Sequence, residues 1–283
     1  MNSISVKNFN LSHTLECGQI FRYKKIDEFY FVSHRNSLFK VKQIENKLYY
    51  KNTNKRFLTS FFRLDDDYEK IIKSISKDRH IKKAIKSLYG LRIIRQDPWE
   101  CLISYLCSSN SNIPKIKKNL NLISKCFGKK IELDEFKSYT FPNPRKISNS
   151  KKLCSCKVGY RADFIKEVNN SINYTDLISL RKREYDVAKN TLMQLKGVGD
   201  KIADCVLLFS LDKLNAFPVD VWIKRVMQEL YFKNKNIPNK EIIRFGQSHF
   251  GEYAGYANQF LFNYARKTRQ KSLDFRHPKN LSK

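Results

Sequence analysis

The sequence predicts an α+β protein, in which an N-terminal antiparallel β-sheet is followed by an all-helical region. Apolar and polar side chains alternate through residues 29–50, FYFVSHRNSLFKVKQIENKLYY, as is typical of strands with one buried face. After DDDY, at residues 65–68, apolar residues recur at helical spacing instead. We therefore expect a sheet-containing part with some helices over residues 1–95 and a helical part over residues 96–283.

Short polar stretches divide the strand region. Arg35-Asn36-Ser37 and Glu45-Asn46 are typical turn residues, and each is flanked by alternating segments. Two turns within one continuous alternating region indicate neighbouring strands that run antiparallel.

The helices carry recognisable end signals. Asp97 is placed to cap the segment DPWECLISYLCSS, and Pro98 suits its first helical position. Gly90 ends DRHIKKAIKSLYG, and Gly128 ends NIPKIKKNLNLISKCFG. Further helices are predicted for EYDVAKNTLMQL, DKIADCVLLFSL, DVWIKRVMQELYF, NKEIIRFGQSHFG and EYAGYANQFLFNYARK. We expect the last residues, KTRQKSLDFRHPKNLSK, to form a basic tail.

The net charge points to a polyanionic partner. The chain of 283 residues has 55 Lys plus Arg against 27 Asp plus Glu, which gives +28. This exceeds what solubility requires and favours nucleic acid. The alternative is a lysine-rich surface that is merely solvated, and charge alone does not separate DNA from RNA or a membrane surface.

The cysteines indicate a reducing compartment and no cysteine-bound metal. Their number is seven, which is odd, and no secretory signal precedes them. Only Cys154 and Cys156 lie close together, and a single C-x-C lacks the spacing of a zinc site or an iron–sulfur cluster. No apolar run approaches the ~18 residues of a membrane span. We expect a soluble protein, cytoplasmic or, in a eukaryote, nuclear.

The stretch LKGVGDKIADC, residues 195–205, joins two predicted helices through a glycine turn. Gly197 and Gly199 permit a tight turn, so that bare N–H groups at the start of the second helix can face a DNA phosphate. This is the pattern of a helix-hairpin-helix. A glycine-rich turn can equally be a plain connector between helices.

Lys201 and Asp220 make a catalytic interpretation stronger. A helix over residues 200–211 is ~18 Å long, and the segment that follows can span ~27 Å, enough to bring Asp220 back beside Lys201. A positive helix end and partial burial both favour the neutral amine, which attacks carbon. The structural alternatives are a solvated lysine and an aspartate that only caps its helix.

With these residues the sequence resembles the 8-oxoguanine DNA glycosylase/AP lyases of the helix-hairpin-helix superfamily. The resemblance depends on the lysine-bearing hairpin together with five further segments in the family's order: CGQIFRY, RQDPWECLISYLCSSNSNI, GYRAD, FPVDVW and YAGYANQFLF. It spans residues 17–262. It implies two helical subdomains that flank an active-site cleft, with the N-terminal part packed on the C-terminal helices.

By this resemblance, the enzyme flips 8-oxoguanine out of duplex DNA, excises it through a Schiff base on Lys201 and cleaves the strand by β-elimination. Asp220 stabilises the sugar cation. The family requires no cofactor and, in this branch, no iron–sulfur cluster. The resemblance further implies a structural cation at the backbone carbonyls of Met193, Leu195 and Val198. We expect a monomer that acts on double-stranded DNA and has no membrane partner.

The resemblance also implies the contacts to the flipped base. The carbonyl of Gly18 accepts the ring N–H that 8-oxoguanine has and guanine lacks, while Cys205 and Phe262 sandwich the base. Asn258 and Trp222 complete the pocket. Both depart from the family, which usually has glutamine and histidine there, and Ala265 replaces an acidic partner of that histidine.

Other residues are implied to contact the surrounding duplex. Asn110 fills the vacated stack and Tyr160 wedges beside the opposite base, which Arg161 and Lys115 approach. The hairpin, Gly197, Val198 and Gly199, binds backbone phosphate. Ser111 interrupts the family's asparagine triplet, and Lys115 replaces an arginine.

Two competing functions remain at this level. A related glycosylase for another damaged base would keep the same architecture. A helix-hairpin-helix protein that only binds DNA would need neither Lys201 nor Asp220.

Overall fold

The computed structural model describes residues 1–276. Its main sheet has five strands, β1 (Asn2–Ser5), β2 (Tyr23–Ile26), β3 (Phe29–His34), β4 (Ser37–Ile44) and β5 (Lys47–Lys51). Their spatial order is β1-β5-β4-β3-β2, and every neighbouring pair is antiparallel. A separate hairpin consists of β6 (Lys130–Leu133) and β7 (Phe136–Tyr139).

The alternation of the sequence is explained by two covered faces of this sheet. Val32, Phe39 and Val41 lie in one buried cluster with the helical residues Leu58 and Phe61. The opposite face buries Phe31 and Leu38 against Leu133 and Phe136 of the β6–β7 hairpin. Alternate side chains therefore point into two different apolar clusters, as the pleat of a strand requires.

Fourteen α-helices lie within residues 1–276. The first seven are α1 (Leu11–Leu15), α2 (Lys55–Phe61), α3 (Tyr68–Ile75), α4 (Arg79–Ser87), α5 (Pro98–Leu106), α6 (Ile113–Phe127) and α7 (Ser150–Ser155). The others are α8 (Arg161–Ser171), α9 (Tyr174–Ser179), α10 (Tyr185–Met193), α11 (Asp200–Ser210), α12 (Val221–Tyr231), α13 (Asn239–Phe250) and α14 (Ala254–Arg276).

Helix α11 lies at the centre of the helical part. Every residue from Ile202 to Ser210 is buried, and the helix packs against both α5 and α10. A helix covered on all sides is held rigidly, so the residue at its exposed start has a fixed position.

The predicted fold class is confirmed, and so are the expected ends of the central helices. Asp97 caps α5 through an N–H···O bond of 2.9 Å from Glu100, with Pro98 in the first position. Gly128 follows the last residue of α6. The side chains of α3 and α4 belong to the same apolar cluster as the later helices, so the domain boundary at residue 95 stays a prediction.

The expected basic tail is wrong over its first part. Helix α14 continues to Arg276 instead of ending near residue 267, and residues 277–283 of the expected tail lie outside the described residues. Strands β1 and β2 and the β6–β7 hairpin were not predicted from the sequence, because four-residue strands are too short to show a period. None of the helices within residues 1–276 combines the length and apolar character needed to cross a lipid bilayer.

Candidate functional site

The glycine turn between α10 and α11 has the geometry of a phosphate-binding hairpin. Gly197 has a φ of +79°, and a Cβ there would lie 2.5 Å from the ring of Phe164, so this position requires glycine. Gly199 has an extended backbone that any residue adopts, and no described atom lies within 4 Å of where its Cβ would be, so this position does not require glycine. Among the described side chains none caps α11, so its first N–H groups remain available to an anion.

Lys201 lies in the first turn of α11 and is half-buried. Its Nζ is 2.5 Å from Oγ of Ser108, which follows the end of α5, and 5.1 Å from the centre of the Tyr105 ring. The side chain is therefore held between the hairpin and α5 and is not free in solvent. The alternative of a solvated lysine does not fit these contacts.

Asp220 precedes α12, and its carboxylate accepts a hydrogen bond of 2.8 Å from the N–H of Ile223. The expected capping role is confirmed. Burial raises the pKa of the Asp220 carboxyl above its usual range, although the Ile223 N–H and the nearby Lys201 act in the opposite direction. The long connection after α11 has thus brought this carboxyl within electrostatic reach of the lysine, as the chain length allows.

The residues predicted to act on the base line one cavity of about 930 Å³. It is lined by Lys201, Asp220, Gly18, Cys205, Trp222, Asn258, Phe262 and Asn110. These come from the loop after α1, the loop after α5, the first half of α11, the start of α12 and the first half of α14. The convergence of such distant segments at one concave surface is typical of a ligand site.

The cavity wall near Cys205 is apolar. Burial raises the pKa of the Cys205 thiol to about 12, so this side chain stays uncharged at neutral pH. Phe262 lies on α14, and its ring is 3.4 Å from where a Cβ on Gly18 would be. Gly18 itself has a φ of +87°, which only glycine adopts without strain.

Asn258 is buried in the cavity wall. Its side-chain amide donates to the carbonyl of Pro218 at 2.9 Å, which fixes the amide orientation. Asn258 lines the cavity; one N–H of its amide is used by Pro218, which leaves its second N–H and its side-chain oxygen for a base.

The residues predicted to contact the surrounding duplex lie outside the cavity lining, except Asn110. Tyr160 is 51% exposed and Lys115 is also exposed. Arg161 is only 3% exposed, and its guanidinium donates to the backbone carbonyls of Ser109 and Asn110. In this structure Arg161 thus anchors the loop of Asn110, while its approach to the opposite base stays a prediction.

Several cavity residues were not singled out from the sequence. Ser108, Tyr105, Gln259 and Arg266 all line the cavity. Nothing in the stretch CSSN distinguishes Ser108 from its neighbour Ser109. Gln259 and Asn258 both line the cavity, but their side chains bind different carbonyls, those of Cys17 and Pro218. The adjacency of Gln259 to a predicted base contact is the one signal that the sequence offered.

A buried ion pair joins the two hairpin helices. Nζ of Lys189, on α10, is 3.0 Å from the fully buried carboxylate of Asp204 on α11, which also accepts a 2.6 Å hydrogen bond from the hydroxyl of Tyr185. Burial raises the pKa of the Asp204 carboxyl, and Lys189 opposes that rise. This pair links α10 directly to α11.

The described residues contain no group of three or more His, Cys, Asp or Glu side chains arranged to hold a metal ion. The carbonyls implied for a structural cation are at the end of α10 and in the hairpin. The Leu195 carbonyl accepts a hydrogen bond of 3.0 Å from the N–H of Val198, whereas the carbonyls of Met193 and Val198 accept none from residues 1–268. Carbonyl oxygens are suitable ligands for a hard cation.

Comparison with known proteins gives consistent matches. The family model for the N-terminal domain of 8-oxoguanine DNA glycosylase matches residues 2–102. A probable N-glycosylase/DNA lyase of Methanothermobacter thermautotrophicus is 31% identical over 215 residues, which covers 68% of this chain and 69% of the relative. The N-glycosylase/DNA lyase OGG1 of Arabidopsis thaliana is 34% identical over 200 residues, or 66% of this chain and 55% of the relative.

A solved structure matches almost the whole chain. It is that of the Clostridium acetobutylicum 8-oxoguanine glycosylase/lyase in complex with double-stranded DNA containing cytosine opposite 8-oxoguanine. The TM-score is 0.88 at 33% sequence identity, and the alignment covers 95% of this chain and 99% of that one.

Proposed function

The chain belongs to the 8-oxoguanine DNA glycosylase/lyase family, and we propose that it excises 8-oxoguanine from duplex DNA and then cleaves the strand. The observation that carries the proposal is that Lys201 and Asp220 line one cavity together with Gly18, Cys205 and Phe262. A protein that only binds DNA has no need for an amine and a buried carboxylate in one concave site.

In the proposed reaction, the neutral amine of Lys201 attacks C1′ of the flipped nucleotide while the bond from C1′ to the base breaks. The electron pair of that bond leaves with the base, which takes up the proton that the amine loses as its nitrogen bonds to C1′. Asp220 stabilises the positive charge that develops on the sugar, because a buried carboxylate acts strongly in a water-poor site. Ser108 holds Nζ by accepting one of its hydrogens.

The covalent aminal then opens its sugar ring to a protonated Schiff base. Loss of a proton from C2′ drives the electrons toward the iminium nitrogen and expels the 3′ phosphate, which is β-elimination. Hydrolysis of the Schiff base returns the lysine. No step of this sequence needs a cofactor.

We propose that the cavity wall recognises the lesion. The Gly18 carbonyl accepts the ring N–H specific to 8-oxoguanine; guanine would oppose it with a lone pair, at a cost of ~1–3 kcal/mol. Cys205 and Phe262 enclose the base, Asn258 offers its oxygen to the pairing edge, and Trp222 forms the wall beside Asp220.

Duplex binding is proposed for the surface around the cavity. The hairpin N–H groups take a phosphate, Asn110 and the exposed Tyr160 occupy the disrupted stack, and Lys115 approaches the opposite strand. The hairpin carbonyls of Met193, Leu195 and Val198 hold a structural cation, and the protein acts as a monomer in the cytoplasm or, in a eukaryote, in the nucleus. Affinity should fall steeply with rising salt, since the chain carries +28.

Borohydride trapping tests the proposal, because reduction makes the Schiff base permanent. The natural protein should trap on duplex containing 8-oxoguanine opposite cytosine and on abasic duplex. Lys201→Gln should lose both products yet retain lesion binding. Asp220→Asn should lose trapping on the lesion and keep part of it on abasic DNA, where no base has to leave.

The matched control is Lys196→Gln. Lys196 lies in the same hairpin but pairs with Glu167 at the surface, so its loss should leave trapping intact. Full trapping by Lys201→Gln would show that another amine performs the reaction, and absence of trapping by the natural protein would overturn the lyase proposal.

A further inference from the structure

The turn that carries Gly18 has an unusual arrangement of hydrogen bonds. The carbonyl of Glu16 accepts from Nη2 of Arg266 at 2.6 Å, and that of Cys17 accepts from Nε2 of Gln259 at 3.0 Å. On the other side, the carbonyl of Gln19 accepts from Nε2 of Gln96 at 2.7 Å. Side chains thus hold the peptides on both sides of Gly18.

Among the side chains and backbone of residues 1–268, no group donates a hydrogen bond to the carbonyl of Gly18 itself. The bond from Gln259 to Cys17 is buried, and Gly18 lines the cavity. The turn therefore leaves one acceptor free at the cavity wall while it occupies the acceptors around it.

Gln259 and Arg266, which bind the carbonyls before Gly18, both lie on α14. Gln259, Phe262 and Arg266 follow the i, i+3, i+7 spacing that places residues on one face of α14. Where a Cβ on Gly18 would be, Nη1 of Arg266 is 3.0 Å away and the Phe262 ring 3.4 Å. One face of α14 therefore holds the Gly18 turn and also supplies an aromatic ring to the same cavity.

Glycine makes such a clamp necessary. With no Cβ, Gly18 at a φ of +87° has access to conformations in which the next peptide rotates and its carbonyl turns away. Gln259 holds the Cys17–Gly18 peptide and Gln96 holds the Gln19–Ile20 peptide, each through its oxygen, so the Gly18–Gln19 peptide lies between two fixed planes and its rotation is restricted. The turn then presents a preorganised acceptor to an incoming base, which lowers the cost of binding.

We propose that Gln259 is a positioning residue for lesion recognition, which holds the Cys17 carbonyl so that the Gly18 carbonyl faces the cavity, with Arg266 supporting the preceding peptide. The inference rests on the proposed function, since it assigns the acceptor of Gly18 to the ring N–H of 8-oxoguanine. Gln259 acts through the backbone and does not contact the base.

The test compares Gln259→Met, which keeps the length of the side chain but has no donor, with Gln43→Met. Gln43 donates to the carbonyl of Phe9 at 2.8 Å and does not line the cavity, so it is a matched glutamine-to-carbonyl bond elsewhere. Both changes are placed in a Lys201→Gln background that stops the reaction. Dissociation constants are then measured for duplexes that contain 8-oxoguanine, guanine or an abasic analogue opposite cytosine.

Gln259→Met should lower the preference for 8-oxoguanine over guanine by about fivefold to tenfold, as expected for one misplaced hydrogen bond. Binding to the abasic analogue should not change, because that duplex presents no base to the Gly18 carbonyl. Gln43→Met should keep the full preference. A preference retained in Gln259→Met, or an equal loss of affinity for all three duplexes, would overturn the inference.

If Gln259→Met does not fold, Arg266→Met at the cavity rim decides: it should reduce the same preference by about threefold, and an unchanged preference would overturn the clamp. The proposed function fails separately. If the Lys201→Gln protein, with Gln259 and Arg266 intact, shows no preference for 8-oxoguanine over guanine, the substrate assignment is wrong and the inference falls with it.

Discussion

Nζ of Lys201 lies 2.5 Å from Oγ of Ser108, whose own hydroxyl donates to the carbonyl of Tyr105 at 2.6 Å. Because the hydroxyl hydrogen of Ser108 is committed to that carbonyl, Oγ is the acceptor and Lys201 is the donor. A neutral amine that donates one hydrogen to Ser108 has its lone pair oriented elsewhere. Ser108 thus restricts the direction in which the amine attacks.

Ser108→Ala should therefore slow base excision in single-turnover experiments by about tenfold, the effect of losing one oriented hydrogen bond. Lesion affinity should not change, since the base contacts are separate. Ser155→Ala is the control, because its hydroxyl also donates to a helix carbonyl but lies away from the cavity. Equal rates for Ser108→Ala and the natural protein would contradict the orienting role.

Asp220 should make the folded protein less stable at neutral pH. Burial raises the pKa of Asp220, so the folded chain binds this proton more tightly than the unfolded chain. The stabilising contribution of the protonated carboxyl is present at low pH and is lost as pH rises through the raised pKa. Asn retains a capping oxygen without the charge.

Asp220→Asn should accordingly melt at the same or a higher temperature than the natural protein near pH 7, and the difference should shrink toward about pH 4. Thermal unfolding at both pH values measures this. Asp186→Asn, which removes an exposed carboxylate from α10, controls for the change in net charge. A lower melting temperature for Asp220→Asn at pH 7 only would contradict the prediction.

Because Lys189 and Asp204 form a buried ion pair, we expect strong energetic coupling between α10 and α11. Lys189→Met should lower the free energy of unfolding by about 3–5 kcal/mol, because it leaves a buried carboxylate without its cation. Adding Asp204→Asn should restore much of the loss. The loss should be smaller at acid pH, because the raised pKa of Asp204 lets it take up a proton.

Urea denaturation of the two single variants and the double variant measures this coupling. Lys196→Met is the control, because its pair with Glu167 is exposed on both sides and should contribute little. Additive effects of the Lys189 and Asp204 changes would show that the two side chains do not depend on each other.

Lys115 predicts weak selectivity for the base opposite the lesion. Lysine donates as a point charge, whereas the planar guanidinium of arginine makes two parallel hydrogen bonds to a base edge. Lys115→Arg should increase the preference for cytosine in excision assays against all four opposite bases. Lys118→Arg, one turn further along α6, should leave the preference unchanged, and the same selectivity in both variants would reject this cause.

The local features of this protein could be predicted from short stretches of its sequence. Alternation over residues 29–50 gave strands, and Asp97 with Pro98 marked a helix start, because strand pleat and helix capping are set by neighbouring residues. The same holds for Lys201 at the start of a helix after a glycine turn. These patterns need no information from distant parts of the chain.

The distant residues that meet at the site could not be predicted in this way, because the folding of the whole chain brings them together. Ser108 meets Lys201 across 93 residues, and Gln259 meets the Cys17 carbonyl across 242. Likewise Arg161, expected at the opposite base, donates to the loop of Asn110. A serine, glutamine or arginine has several possible hydrogen-bond partners, and the packing of whole helices against one another selects among them, so no local pattern records the choice.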